Sequence, residues 1–147
     1  MVVDNIAEFS LNNKYREKFI SIDYGVKYLG LAISDETNLI SKPFLTLNET
    51  DLLSQFTKIL DENNIYGLII GKPYNLDGSI SKMIGNVNLF VNKILKIHNI
   101  PIFLIDERLT SKQFKSKENS KKNNVHEKSA CLILDDFLAL YRNYING

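Results

Sequence analysis

Residues 19–34, FISIDYGVKYLGLAIS, decide the fold. The two halves, Phe19 to Asp23 and Tyr28 to Ser34, are short β-prone runs joined by a turn that contains Gly25, so the stretch reads as a hairpin. A third run, near Leu39 to Leu47, contains Pro43 and fits an edge strand, where the missing amide costs no ladder bond. Helical spacing follows in Leu52, Leu53, Phe56, Ile59 and Leu60, with Asn48 or Thr50 as its cap. A buried-looking strand, Tyr66 to Ile70, leads through a glycine and proline loop into a helix over about Ser81 to Lys96. Ile100 to Ile105 is the next apolar strand, and strand, helix and strand in succession make a crossover unit with parallel strands. A last amphipathic helix runs from Val125 to about Tyr144, with Ala130, Ile133, Leu134, Phe137, Leu138 and Tyr141 facing inward.

Length and composition bound what such a pattern can be. A chain of 147 residues, 44% of them apolar, buries one ordinary core. Residues 1–17 read as an N-terminal arm with a short helix around Ile6 to Leu11, and residues 18–147 as a single domain. The net charge of +1 argues neither for nucleic acid nor against it, but residues 112–128 hold six lysines against Glu118 and Glu127. Residues 116–124 have no apolar side chain and read as a loop. The single cysteine, Cys131, excludes an intramolecular disulfide and fits a reducing compartment. With no apolar run near the ~18 residues of a membrane span and no signal layout, the expectation is a soluble, cytoplasmic protein without a membrane partner.

Polar residues follow the apolar runs at three places: Asp23-Tyr24-Gly25 with Lys27 and Gly30, Gly71-Lys72-Pro73-Tyr74-Asn75-Leu76-Asp77-Gly78, and Asp106-Glu107-Arg108-Leu109-Thr110. Ligands of open α/β sheets gather beyond the carboxyl ends of the strands, so the three are expected to converge on one crevice. A carboxylate at Asp23 suits Mg²⁺ or Mn²⁺, hard ions that take oxygen ligands, although Asp-x-Gly also simply starts turns. Asp106 and Glu107 are adjacent and would face opposite ways, so one of them meets such an ion; Glu107 has the longer reach. Arg108 offers a planar fork for phosphate, or a salt bridge to one of the acids, and Thr110 or Ser111 a helix cap. Lys72 offers a phosphate contact or a solvated charge, and Asn75 and Asp77 organise their loop through side-chain hydrogen bonds.

In the order and spacing of four blocks the chain resembles the YqgF family, also called RuvX, whose members are Holliday-junction-resolvase-like proteins and nucleases of pre-16S ribosomal RNA. The blocks are Asp23-Tyr24-Gly25 with Lys27, Gly30, Ala32 and Ser34; Gly71-x-Pro73-x-Asn75-x-Asp77-Gly78; Asp106-Glu107-Arg108-x-Thr110; and Ala130 with Ile133-Leu134. The resemblance spans roughly Phe19 to Leu138. It implies an α/β, RNase H-like fold: a five-stranded mixed sheet flanked by helices, the first three strands antiparallel and the later two joined through crossovers.

The resemblance also implies a metal-dependent endonuclease that hydrolyses phosphodiester bonds. Its acids would be Asp23, Glu107 or its neighbour Asp106, and a third at the start of the last helix. There this chain departs from the family, because the usual Asp falls on His126, with Glu127 beside it. An imidazole binds divalent ions but favours borderline metals and removes one negative charge from the site. Asp23, Glu107 and His126 or Glu127 would hold Mg²⁺ or Mn²⁺, while Lys27, Lys72, Asn75 and Arg108 contact the substrate. The implied partner is nucleic acid, precursor rRNA or the pre-ribosome. A non-catalytic RNA-binding assembly factor is the alternative that His126 raises, and a Holliday-junction resolvase variant would work as a homodimer. An ATP-binding domain of the actin and sugar-kinase type shares Asp-x-Gly-x-x-x-x-Gly but needs a second such domain, which this length does not supply.

Overall fold

The computed structural model describes residues 1–73, 83–106 and 125–147. The hairpin forms as β2 (Lys18–Asp23) and β3 (Leu29–Ser34), followed by β4 (Ser41–Leu47), an edge strand that carries Pro43. Helix α2 (Glu49–Asn63) begins where the Asn48 side chain accepts the Asp51 amide at 2.7 Å and ends on Asn64 in the left-handed region, φ 53°. Strand β5 (Ile65–Lys72), helix α3 (Met83–Ile97) and strand β6 (Ile102–Asp106) make the crossover unit, and helix α4 (Val125–Asn146) closes the chain.

The sheet has six strands, not five, in the order β1-β6-β5-β2-β3-β4. The additional strand comes from the N-terminal arm: β1 (Val2–Val3) pairs in parallel with Ile102 and Phe103, and the Met1 ammonium donates to the Ile100 carbonyl at 2.9 Å. Strands β6, β5 and β2 are also mutually parallel, whereas β2, β3 and β4 are antiparallel.

Each central strand is buried on both faces, which is why β2, β3 and β5 read as near-continuous apolar runs. Ile20, Ile22, Leu68, Ile70 and Ile102 pack against α2 and α3 on one face. Phe19, Ile69, Phe103 and Ile105 pack against α4 and the arm on the other. The arm's short helix, α1 (Ile6–Phe9), delivers Phe9 to the second face, where it is fully buried with its ring centroid 5.4 to 5.8 Å from those of Phe19, Tyr66, Phe103 and Phe137. Gly67 makes room for that ring, since a Cβ there would stand 2.6 Å from Phe9 Cζ. No described helix is long and apolar enough to cross a membrane.

Candidate active site at the strand ends

Parallel β2, β5 and β6 all finish on the same side of the molecule, at Asp23, Lys72 and Asp106. The register then decides which residues meet. Ile22 pairs with Ile70, so Asp23 lies level with Gly71, which pairs with Ile105; Lys72 and Asp106 pair one residue further out. Side chains alternate along a strand, so Asp23 shares the face of Phe19 and Ser21, toward α4. Lys72 and Asp106 share the face of Ile70 and Leu104, toward α2 and α3. Asp23 and Asp106 thus come to one end of the sheet but to opposite faces.

A row of residues crosses the sheet at the level of Asp23. Gly30 is its register partner on β3, and Thr46 is the partner of Gly30 on β4. Helix α4 begins on top of this row. A Cβ on Gly30 would lie 2.0 Å from the His126 carbonyl oxygen, so the first turn of the helix rests on bare strand backbone. One turn further on, the buried Ser21 hydroxyl donates to the Ala130 carbonyl at 2.7 Å and holds the helix against β2. Asp23 is therefore almost enclosed, 8% exposed, on the face where His126 sits.

The acid beside His126 is engaged elsewhere. Glu127 Oε2 accepts a hydrogen bond from Thr46 Oγ1 at 2.8 Å, which ties it to the row two strands away from Asp23. The His126 ring turns toward Tyr28, with centroids 5.8 Å apart and planes at 52°, and Lys27 Nζ lies 5.4 Å from the same tyrosine ring. Among the described residues no three His, Cys, Asp or Glu side chains are grouped as metal ligands. Asn75, Glu107 and Arg108, with Thr110, Ser111 and most of the lysine-rich segment, lie outside the described residues. In donor chemistry, the buried Asp23 carboxylate suits a hard cation.

Behind Asp23 the chain is braced from the other face. Tyr24 donates its hydroxyl to Glu49 Oε1 at 2.8 Å, Lys93 Nζ donates to Glu49 Oε2 at 2.6 Å, and the Tyr24 ring packs on Phe90 at 5.2 Å. Burial and the neighbouring Glu49 carboxylate push the Tyr24 phenol up to about 12. Burial alone would raise Glu49, but the hydrogen bonds from Lys93 and Tyr24 outweigh it and hold the carboxyl below its ordinary value. Glu49 and Lys93 are 44 residues apart, so only the fold reveals this clamp; the sequence signal was the aromatic residue directly after Asp23.

Mixed sheet, helices on both faces and an acid at the end of the first long strand define an RNase H-like α/β domain. The chain belongs to the RuvX family, described as Holliday junction resolvase, whose model matches residues 17–140. A Pelagibacter ubique protein named "Putative pre-16S rRNA nuclease" is 37% identical over 109 residues, 72% of either chain. A Rickettsia typhi protein of the same name is 30% identical over 154 aligned positions, 98% of this chain and 99% of that one. Among solved structures, Thermus thermophilus RuvC in complex with a Holliday junction substrate superposes with a TM-score of 0.57 at 8% identity, covering 86% of this chain and 96% of that one, a likeness of fold alone.

Proposed function

We propose that this chain is a divalent-cation-dependent nuclease that hydrolyses phosphodiester bonds in precursor ribosomal RNA, acting in the cytoplasm at the 5′ end of pre-16S rRNA. The observation that carries the reading is the nearly enclosed Asp23 carboxylate at a strand end, on the face where α4 begins, in a chain of the RuvX family. The names of the Pelagibacter and Rickettsia relatives supply the substrate class.

Asp23 and Glu107 would hold the cation, with the His126 imidazole at the rim of the site. Asp106 falls on the face opposite to Asp23, which favours its neighbour Glu107 as the second acid. When bound, the cation activates a water and stabilises the leaving oxygen. Two carboxylates suit Mg²⁺ or Mn²⁺ alike. Lys27, Lys72, Asn75 and Arg108 would hold the nucleic-acid backbone, a contribution that weakens as salt rises. The Tyr24–Glu49–Lys93 clamp fixes the backbone that presents Asp23.

A second reading has an observation of its own. The family resemblance sets His126 where an acid is expected and Glu127 accepts a hydrogen bond from Thr46, an arrangement that also fits a non-catalytic RNA-binding assembly factor. Cleavage of a 5′-extended 16S precursor in Mn²⁺ or Mg²⁺ by wild type, Asp23→Asn and His126→Asp separates the two. The nuclease reading expects cleavage by wild type that Asp23→Asn abolishes. Activity in His126→Asp alone would mean a nuclease scaffold that has lost a ligand, and three silent, folded proteins would favour the assembly factor. A resolvase acting on branched DNA would need a homodimer, which sedimentation reads directly.

A further inference from the structure

Tyr28 is left in the open at the mouth of the site. It is 42% exposed, on the face of the sheet where the rings of Phe9, Phe19 and Phe137 are fully buried. Two polar residues attend it: the His126 ring at 5.8 Å and the Lys27 ammonium at 5.4 Å from the ring centroid. Its place is equally specific. Tyr28 precedes Gly30 by two residues, and Gly30 pairs with Asp23, so Tyr28 lies roughly 8 Å from the acid by strand spacing and rise. Continuing the alternation of β3 from Gly30, it points to the same face as Asp23, the face of α4.

We infer that Tyr28, flanked by Lys27 and His126, is a stacking platform for one unpaired nucleobase, so that the nucleic acid entering this site is single-stranded at the position next to Asp23. The inference rests on the nuclease reading and deepens it by naming the substrate's conformation. An aromatic face accepts any base, but only a base freed from pairing and stacking can lie on it. Lys27, which covers the ring by a cation–π contact in the free protein, is the natural countercharge for the phosphate of the stacked nucleotide. His126 adds a second planar ring at 52° to the first, an arrangement that cradles a base edge. Tyr28 acts here as a positioning residue, because the base it holds sets which phosphodiester lies against Asp23.

The test measures binding without turnover. A 12-nucleotide RNA with a single 2-aminopurine is titrated with wild type, Tyr28→Phe and Tyr28→Ala in Ca²⁺, alongside the same RNA in a duplex. Stacking on an aromatic side chain predicts that Tyr28→Ala loses about 5- to 150-fold in affinity for the single strand. Tyr28→Phe should keep it, duplex affinity should stay unchanged, and the quenching of 2-aminopurine seen with wild type should disappear in Tyr28→Ala. Unchanged single-strand binding by Tyr28→Ala, or an equal loss on both RNAs, overturns the platform and leaves the nuclease reading standing. Failure of wild type to bind either RNA overturns both.

Discussion

Replacing Gly30 by alanine tests the packing that brings α4 to Asp23. Gly30 lies inside β3, and alanine at a strand position has a smaller conformational entropy to lose, a gain of about 0.5 to 1 kcal/mol. Against this, the new methyl would stand 2.0 Å from the His126 carbonyl oxygen and 2.2 Å from its carbon. Overpacking costs about 1 to 3 kcal/mol, and here the obstacle is main chain that cannot rotate aside, so the upper end applies. The net loss should be about 2 kcal/mol, or a fall in Tm of roughly 4 to 8 °C for a domain of this size. Urea denaturation should show a lower midpoint with an unchanged slope, and precursor cleavage should fall because the helix start has been pushed off the row of Asp23. A Gly30→Ala protein as stable and as active as wild type would refute the placement of His126 against the strand.

Three further outcomes follow from the same structure. Phe9→Ala removes a fully buried ring from the centre of an aromatic cluster and should cost about 3 to 5 kcal/mol in urea denaturation; a loss under 1 kcal/mol would mean that the arm is not part of the folded core. Asp35→Asn should reveal a pH-dependent term: burial would raise this carboxyl, but hydrogen bonds from Thr37 and from the Ile40 and Leu39 amides bring it to about 2. Because the folded value is depressed, the stabilisation is present above the ordinary carboxylate range and lost as pH falls toward 2; wild type should exceed Asp35→Asn by about 1 kcal/mol at pH 7 after allowance for solvent screening, and the gap should close in acid. Asp23→Asn should abolish metal-dependent cleavage while its urea midpoint stays near that of wild type, and retained cleavage would remove Asp23 from the site.

Hydrophobic periodicity carried most of the fold, because strands buried on both faces and helices with one apolar face leave strong local patterns. The hairpin, the proline-bearing edge strand, the Asn48 cap and the crossover helix are all visible that way. The sixth strand is not, since two valines at Val2–Val3 have no period and pair only because the arm folds back along Ile102 and Phe103. The candidate site divides along the same line. That Asp23, Lys72 and Asp106 gather at one end of the sheet is readable from where the apolar runs stop. Which face each acid takes depends on register, a long-range property. A one-residue offset, Lys72 with Asp106 and Gly71 with Ile105, turns Asp106 away from Asp23.

The start of α4 shows the same limit at a single pair of residues. His126 and Glu127 are equivalent candidates in sequence, adjacent and both able to bind a cation. Thr46, 81 residues from Glu127, separates them by donating its hydroxyl to the Glu127 carboxylate, while Gly30 brings the backbone of His126 down onto the row of Asp23. Thr46→Val therefore discriminates between two designs of this site. If the Thr46 hydroxyl only anchors the helix, the variant loses about 1 kcal/mol of stability and leaves cleavage unchanged. If Glu127 is a ligand held in reserve, freeing it raises cation affinity, measured by isothermal titration with Mn²⁺, and His126→Ala in the same background keeps that gain. No gain in affinity would mean that Glu127 serves the helix as an anchor to Thr46 and not as a ligand.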